Sequence, residues 1–445
     1  MKNQIIEFRR VVVLRNLCAA VSFVLCAVPA LAYHSDGAAA CNSGNERTLF
    51  TSVRGQYYRI PALAVTRSGA IIALSDDRHN TGYDVGQGGK LDVLMRRSLD
   101  GGNTWTEPVK LADSDRFPAI KGFGDASIVA DCKSDRVLAL VVSDSVGLTW
   151  VQNGKLGVYR FYSNDGGETW DGGMCITDQI YGLGKNWKSL FISSGRIMQS
   201  RVIKTGKYYR IYCVALVRAE KEDGKTGLYG NAVLYSDDFG ETWSVLGNPD
   251  VSPCPRGDEA KIEEYPDGTV ILSSRTNGRF FNLFAYYDKQ FASGVWTESV
   301  AASSFSNIGN ACNGEILRVE AIETATGRKA DLLLQSVPAG PGRSNVSIYY
   351  KVLKEGDIST YTTDGLGSGW IRFPVCSVAS GYSTMCRLPD GKIAFLYERI
   401  PVDTDYAYDI VFRSFSLDFI TGGKYRAVPE NRKAARRFAR ACSVC

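Results

Sequence analysis

The chain has 445 residues, 44% of them hydrophobic and 22% charged, a globular composition with enough apolar residues for a large core. Its formal charge of +5 is concentrated at the ends: residues 1–32 carry +3 and residues 424–445 carry +6, which leaves 33–423 at −4. A mildly acidic body argues against nucleic-acid binding, and with only His34 and His79 in the chain a zinc site is not expected.

In chain order, Lys2, Arg9, Arg10 and Arg15 precede the apolar run Leu17–Leu31, which ends in Ala30-Leu31-Ala32. A basic start, an apolar middle and a small-residue cleavage site predict a secretory signal over 1–32. The alternative, an uncleaved membrane anchor, is disfavoured because the stretch is short for a span. The mature protein is therefore expected to be exported (secreted, periplasmic or at the cell surface), with no integral span after cleavage. Ten of the twelve cysteines remain, an even number compatible with disulfides; Cys376 and Cys386 are near enough in sequence for a local bridge, and Cys442 and Cys445 form a lone C-x-x-C. The end from Lys424 onward is expected as a basic tail, and its simplest reading is a solvated terminus.

The body is organised by a repeat. Ser98-Leu99-Asp100-Gly101-Gly102-Asn103-Thr104-Trp105, Ser163–Trp170 and Ser236–Trp243 share the frame S-x-D-x-G-x-T-W. Asp accepts from nearby backbone amides, Gly tolerates positive φ, and Thr and Trp suit an outgoing strand, so each frame predicts a tight turn. Weaker copies are Ser143–Trp150, with Ser145 at the Asp position, and Thr362–Trp370, with one extra residue. A second pattern, strand, small or Asp-Gly turn, strand, predicts hairpins around Ser68-Gly69, Ser194-Gly195, Asp267-Gly268 and Asp390-Gly391. Each strong frame follows a further strand (Leu91–Arg97, Gly157–Tyr162, Asn231–Tyr235). Four strands per unit of roughly 65 residues describes a propeller blade, and residues 33–423 hold about six such units. The expectation is an all-β, six-bladed propeller forming one domain, and a monomer.

Strand ends near a propeller axis are where unusual charges converge. Arg59-Ile60-Pro61 opens the first hairpin and Asp76-Asp77-Arg78 closes it; Arg275 closes the third hairpin, Glu398 closes the last, and Arg343 precedes the strand Val346–Tyr350. Tyr58-Arg59-Ile60-Pro61 followed by several S-x-D-x-G-x-T-W frames resembles the bacterial-type exo-sialidases (neuraminidases), and the likeness runs over nearly all of 50–415. Neither motif alone carries this; together they are specific.

The resemblance implies a set of roles. Arg59, Arg275 and Arg343 match the arginine triad that clamps the sialic acid carboxylate, and mutually repelling guanidiniums make sense where an anion sits. Any one of them alone reads more simply as a surface salt bridge. Tyr382 matches the tyrosine nucleophile, an exception to the paired-carboxylate rule of glycosidases, with Glu259 as its base. Asp84, in the Gly-rich loop Thr81–Gly86, matches the general acid/base, with Asp76, Asp77 and Asp92 as neighbours that invite confusion. Glu398 matches the carboxylate that orients Arg59, Arg78 and Asp125 match sugar contacts, and Trp150 is a weak candidate for the acetyl pocket. No cofactor is implied, and the expected partners are sialylated glycoconjugates. A glycan-binding propeller without turnover need not keep Tyr382, Glu259 and Asp84 together, a structural propeller leaves the arginines unexplained, and trans-sialylation is an alternative for which the sequence shows no acceptor platform. A serine–histidine hydrolase is disfavoured because His79 is the one histidine in the folded body.

Overall fold

The computed structural model describes residues 46–145, 155–220, 226–305, 312–354, 356–401 and 407–428. The expected leader, Trp150 and most of the basic tail lie outside them. By packing the chain divides into Met1–Asp36, also outside the described residues, and Gly37–Cys445, which contains everything below.

The protein is all-β, with its sheets in a propeller-like arrangement. Among the described residues the strands form five sheets rather than six separate ones. One sheet has nine strands and contains two strand sets, 56–98 with 109–112 and 120–175. They are joined where Leu91 pairs in parallel with Gly122. The others are the sheets at 187–245, 260–301 and 316–374, with five strands each, and a four-stranded sheet at 380–415. Both ends of the described chain are woven in. Arg47–Phe50 pairs with Asp409–Phe415 in the last sheet, and Tyr425–Ala427, the start of the expected basic tail, pairs with Ile316–Glu323.

Three of the four predicted hairpins form, with pairs closing at Val65↔Ile71, Glu264↔Val270 and Arg387↔Ile393. The one at Ser194-Gly195 does not. Gly195-Arg196 instead pairs in parallel with Ser127-Ile128, while Trp187–Ile192 and Met198–Lys204 both pair with Tyr209–Glu220. The Gly195 φ of 102° sends the chain across to the neighbouring sheet instead of back along its own.

The repeated frames are turns with one bonding scheme. Asp165 Oδ1 accepts from the backbone amides of Glu168 (3.0 Å) and Thr169 (2.9 Å), its Oδ2 accepts from Thr169 Oγ1 (2.5 Å), and Ser163 Oγ accepts from Gly167 N (2.8 Å). Asp100 and Asp238 accept from Thr104 and Thr242 in the same way. These frames also join sheets. A Cβ on Gly102 would lie 2.2 Å from Phe412, on Gly167 2.5 Å from Ile72, and on Gly240 2.4 Å from Leu138. Each contact falls on the preceding strand set, the first frame reaching the last sheet, and all three glycines have positive φ. The weaker copy at Thr362–Trp370 folds differently. Its extra residue allows a short helix, Thr363–Leu366, and Trp370 Nε1 donates to Leu366 O at 2.9 Å. Of the other weak copy only Ser143–Ser145 is described, at the end of a strand. Cys376 and Cys386, near enough in sequence for a bridge, are not joined; the Cys386 thiol donates to Leu63 O at 3.1 Å.

Against the opposing effect of burial, hydrogen bonds from the Thr169 hydroxyl and amide, the Ser163 hydroxyl and the Glu168 amide hold the Asp165 carboxyl down at about 2. Its stabilisation is therefore present above the usual aspartate value of about 4 and is lost as pH falls from there toward 2. We expect Asp165→Ala to destabilise the protein by about 1–2 kcal/mol at neutral pH, with the difference from wild type shrinking in acid; chemical denaturation at two pH values measures both.

Candidate active site

Three irregular strand pairings aim side chains at one place. The first hairpin pairs Arg59 with Asp76 and then shifts register before Ala62; at that shift Ile60 has φ 61°. A β-branched residue rarely adopts this left-handed region, which marks local strain of the order of 1–3 kcal/mol held by its surroundings. Strand Ile120–Ala130 shifts between Gly124 and Ser127, around Asp125 at φ 49°. Strand Ser380–Arg387 shifts between Ser380 and Ser383, around Tyr382. Bulges of this kind re-aim a side chain without ending the sheet.

Glu398 ties the first and last of these together. Its Oε1 accepts from Arg59 Nε (2.7 Å) and the Ile60 amide (2.8 Å), and its Oε2 accepts from the Tyr382 amide (2.9 Å). A Cβ at residue 381 would lie 2.4 Å from that Oε2, so only Gly381 allows the approach. Burial opposes ionisation of Glu398, but Arg59 and the two amides outweigh it and keep the carboxyl below its ordinary value.

Tyr382 is buried, with its hydroxyl donating to Glu259 Oε2 at 2.7 Å and accepting from Arg275 Nη1 at 2.9 Å. Arg275 also pairs with Glu259. Three guanidiniums lie over the Tyr382 ring: Arg343 at 5.2 Å, Arg59 at 5.5 Å and Arg275 at 5.9 Å from its centroid. Arg59 and Arg275 have carboxylate partners, whereas Arg343 has none among the described residues. Burial pushes the Glu259 carboxyl up, with Arg275 pulling the other way, and burial with the Glu259 charge pushes the Tyr382 phenol well up. A raised carboxyl in hydrogen-bond contact with a phenol is a competent proton acceptor for it.

Asp84 sits on the exposed loop, and its Oδ1 meets Arg78 Nη1 at 2.7 Å. Burial would raise its carboxyl, but Arg78, Arg59 and Arg343 hold it below the ordinary value. Asp125 is the reverse: burial, Asp76, Glu259 and Asp84 together push it well up. Among the described residues the structure thus gathers Arg59, Arg78, Asp84, Asp125, Glu259, Arg275, Arg343, Tyr382 and Glu398 in one electrostatic neighbourhood. The neighbours that could be confused with Asp84 separate cleanly. Asp92 bonds His79, Lys110 and Ser114, Asp77 bonds Gln56, and Asp76 takes the other terminal nitrogen of Arg78. Trp150 lies outside the described residues.

Sequence reasoning missed two neighbours. Tyr408 carries Arg59 over its ring at 4.8 Å, and Cys312 packs with Ile60 and Tyr382, its thiol pushed up to about 12 by burial. Neither stands in a motif. Asp76 did carry a signal, the charge run Asp76-Asp77-Arg78 at a strand end.

No protein-family model matches the chain. It is 29% identical over 355 residues to a sialidase of Micromonospora viridifaciens, an alignment covering 77% of this chain and 50% of that protein. It is 27% identical over 365 residues to a sialidase of Paraclostridium sordellii, covering 77% and 81%. The chain thus spans about half the length of the first of these curated relatives. Among solved structures, a Hadza microbial sialidase superposes with TM-score 0.59 at 24% identity, covering 82% of this chain and 66% of that one. A leech intramolecular trans-sialidase bound to 2,7-anhydro-Neu5Ac superposes with TM-score 0.64 at 17% identity, covering 85% and 71%. The architecture is therefore that of the sialidase-type all-β folds. By sequence, the chain is similar to curated sialidases over about three quarters of its length.

Glu398→Ala would strand a largely buried Arg59 and two backbone amides. We expect a loss of about 3–5 kcal/mol, read as a fall in denaturation midpoint, whereas Glu398→Gln keeps an acceptor and should lose less.

Proposed function

We propose that the protein is a glycoside hydrolase, an exo-α-sialidase that releases terminal sialic acids from glycoproteins, glycolipids and oligosaccharides. The observation that carries the reading is the Tyr382 hydroxyl, hydrogen-bonded to Glu259 and Arg275 beneath three guanidiniums. The similarity to curated sialidases supports the substrate class.

In this reading the substrate carboxylate takes the place that Arg343 leaves unpartnered, with Arg59 and Arg275 completing the clamp. Arg78 and Asp125 contact the sugar. That carboxylate is attached to the anomeric carbon itself, so a negatively charged nucleophile would approach against like charge, whereas a phenol arrives neutral. As Tyr382 oxygen bonds to the anomeric carbon, its proton passes to Glu259. The glycosidic bond breaks with its electron pair on the leaving oxygen, which takes a proton from Asp84, whose carboxyl can hold one once the bound substrate carboxylate offsets the Arg59 and Arg343 charges that keep it low in the free site. Asp84, now a carboxylate, draws a proton from water as the water oxygen attacks the same carbon, and Tyr382 leaves by recovering its proton from Glu259. Two inversions give retention of configuration. Asp84 suits both halves because its exposed loop borders the side from which the aglycone departs and water enters. No metal or organic cofactor enters this chemistry.

The reading is tested with a fluorogenic sialoside. Wild type should release the dye, Tyr382→Phe should lower kcat by more than about a thousandfold, and Asp84→Asn should lower it by roughly 10²–10⁴ on natural sialosides. The first sialic acid seen by NMR should be the α anomer. A wild type that releases nothing, or a fully active Tyr382→Phe, overturns the assignment.

A further inference from the structure

Asp76 has no part in the reaction just described, yet it is among the most constrained side chains near it. It lies opposite Arg59 in the first hairpin and is fully buried. Its Oδ2 accepts from Arg78 Nη2 at 3.2 Å, and its Oδ1 accepts from the Asp125 amide at 3.0 Å. A Cβ on Gly124 would sit 3.0 Å from Oδ2, so the carboxylate has little room to turn.

Arg78 is equally buried, and its two terminal nitrogens face different ways. Nη2 meets Asp76, while Nη1 meets Asp84 Oδ1 at 2.7 Å and the Gly82 carbonyl at 3.2 Å. Asp84 is 56% exposed on a loop, so this one guanidinium is what fixes it to the sheet. A buried Asp–Arg pair is poor value as a stabiliser, since a well-packed apolar pair usually does as well. A guanidinium locked on one edge and offering its other edge to an exposed carboxylate is, by contrast, a positioning device.

We propose that Asp76 is a positioning residue for Asp84, acting through the two terminal nitrogens of Arg78, while its second oxygen holds the left-handed backbone at Asp125. The inference rests on the hydrolase reading, in which Asp84 protonates the leaving oxygen. Its consequence is a dependence on leaving group. A sugar alkoxide needs the proton; an activated phenol departs largely without it. A misplaced Asp84 therefore harms the first substrate and spares the second, whereas general loss of structure harms both.

The test compares kcat/KM for sialyllactose and an activated aryl sialoside in wild type, Asp76→Asn, Asp84→Asn and the double variant. Asp76→Asn is expected to lose about ten- to a hundredfold on sialyllactose and much less on the aryl sialoside. Asp84→Asn should show the same asymmetry, and Asp76→Asn should add little in its background. Equal losses on both substrates, or additive losses in the double variant, overturn the proposal and leave Asp76 as a brace. If wild type cleaves neither substrate, the hydrolase reading fails and takes this inference with it. Should Asp76→Asn not fold, Asp76→Glu asks the same question, because it keeps the charge facing Arg78 but displaces both oxygens; a symmetric loss there also counts against it.

Discussion

The Glu398 carboxylate is the joint on which the site depends. It holds Arg59 and the strained Ile60 backbone of the first hairpin with one oxygen and the Tyr382 backbone of the last strand set with the other. Residues about 320 positions apart are thereby fixed to a single buried charge. Burying a carboxylate is costly unless it is paired and hydrogen-bonded, and here a guanidinium and two amides supply both. The strain at Ile60 persists because this carboxylate over-determines it.

A second constraint acts at the periphery. The repeated Asp turns satisfy their own backbone, and their glycines leave room for a side chain of the neighbouring strand set, Phe412, Ile72 or Leu138, to pack against the turn. The first frame reaches Phe412 in the last sheet, where Arg47–Phe50 also pairs, so the two ends of the array meet. The turns are scaffold: they set the spacing of the sheets, and the chemistry lies at strand ends elsewhere.

Charge in the site is arranged asymmetrically. Arg59 and Arg275 are each neutralised by a glutamate, which lets them be held in place; Arg343 has no carboxylate partner among the described residues, which leaves positive potential over the Tyr382 ring. Around Asp84 the arginines keep a carboxyl low, while a short way off burial drives Asp125 high. Groups of one chemical type are thus set to different protonation by position alone.

Much of this was legible in the sequence. Alternating strands and Asp-Gly turns predict three of the hairpins, and the S-x-D-x-G-x-T-W frames predict the bonding of their own turns, because those interactions are local. R-I-P with those frames marked the family, and residue type with motif position marked Arg59, Asp84, Glu259, Tyr382 and their partners as candidates. Non-local contacts were not legible. The crossover at Gly195, the joining of two strand sets through Leu91 and Gly122, and the helix at the imperfect frame each depend on what the neighbouring segment offers. So do the partners of Glu398, the unpartnered state of Arg343 and the link from Asp76 through Arg78 to Asp84. The chain fixes residue types and local turns, since these rest on spacing of a few residues; only tertiary packing decides which charges are paired, which are left open and how far each ionisation is moved, since burial and distance exist only once the sheets have met.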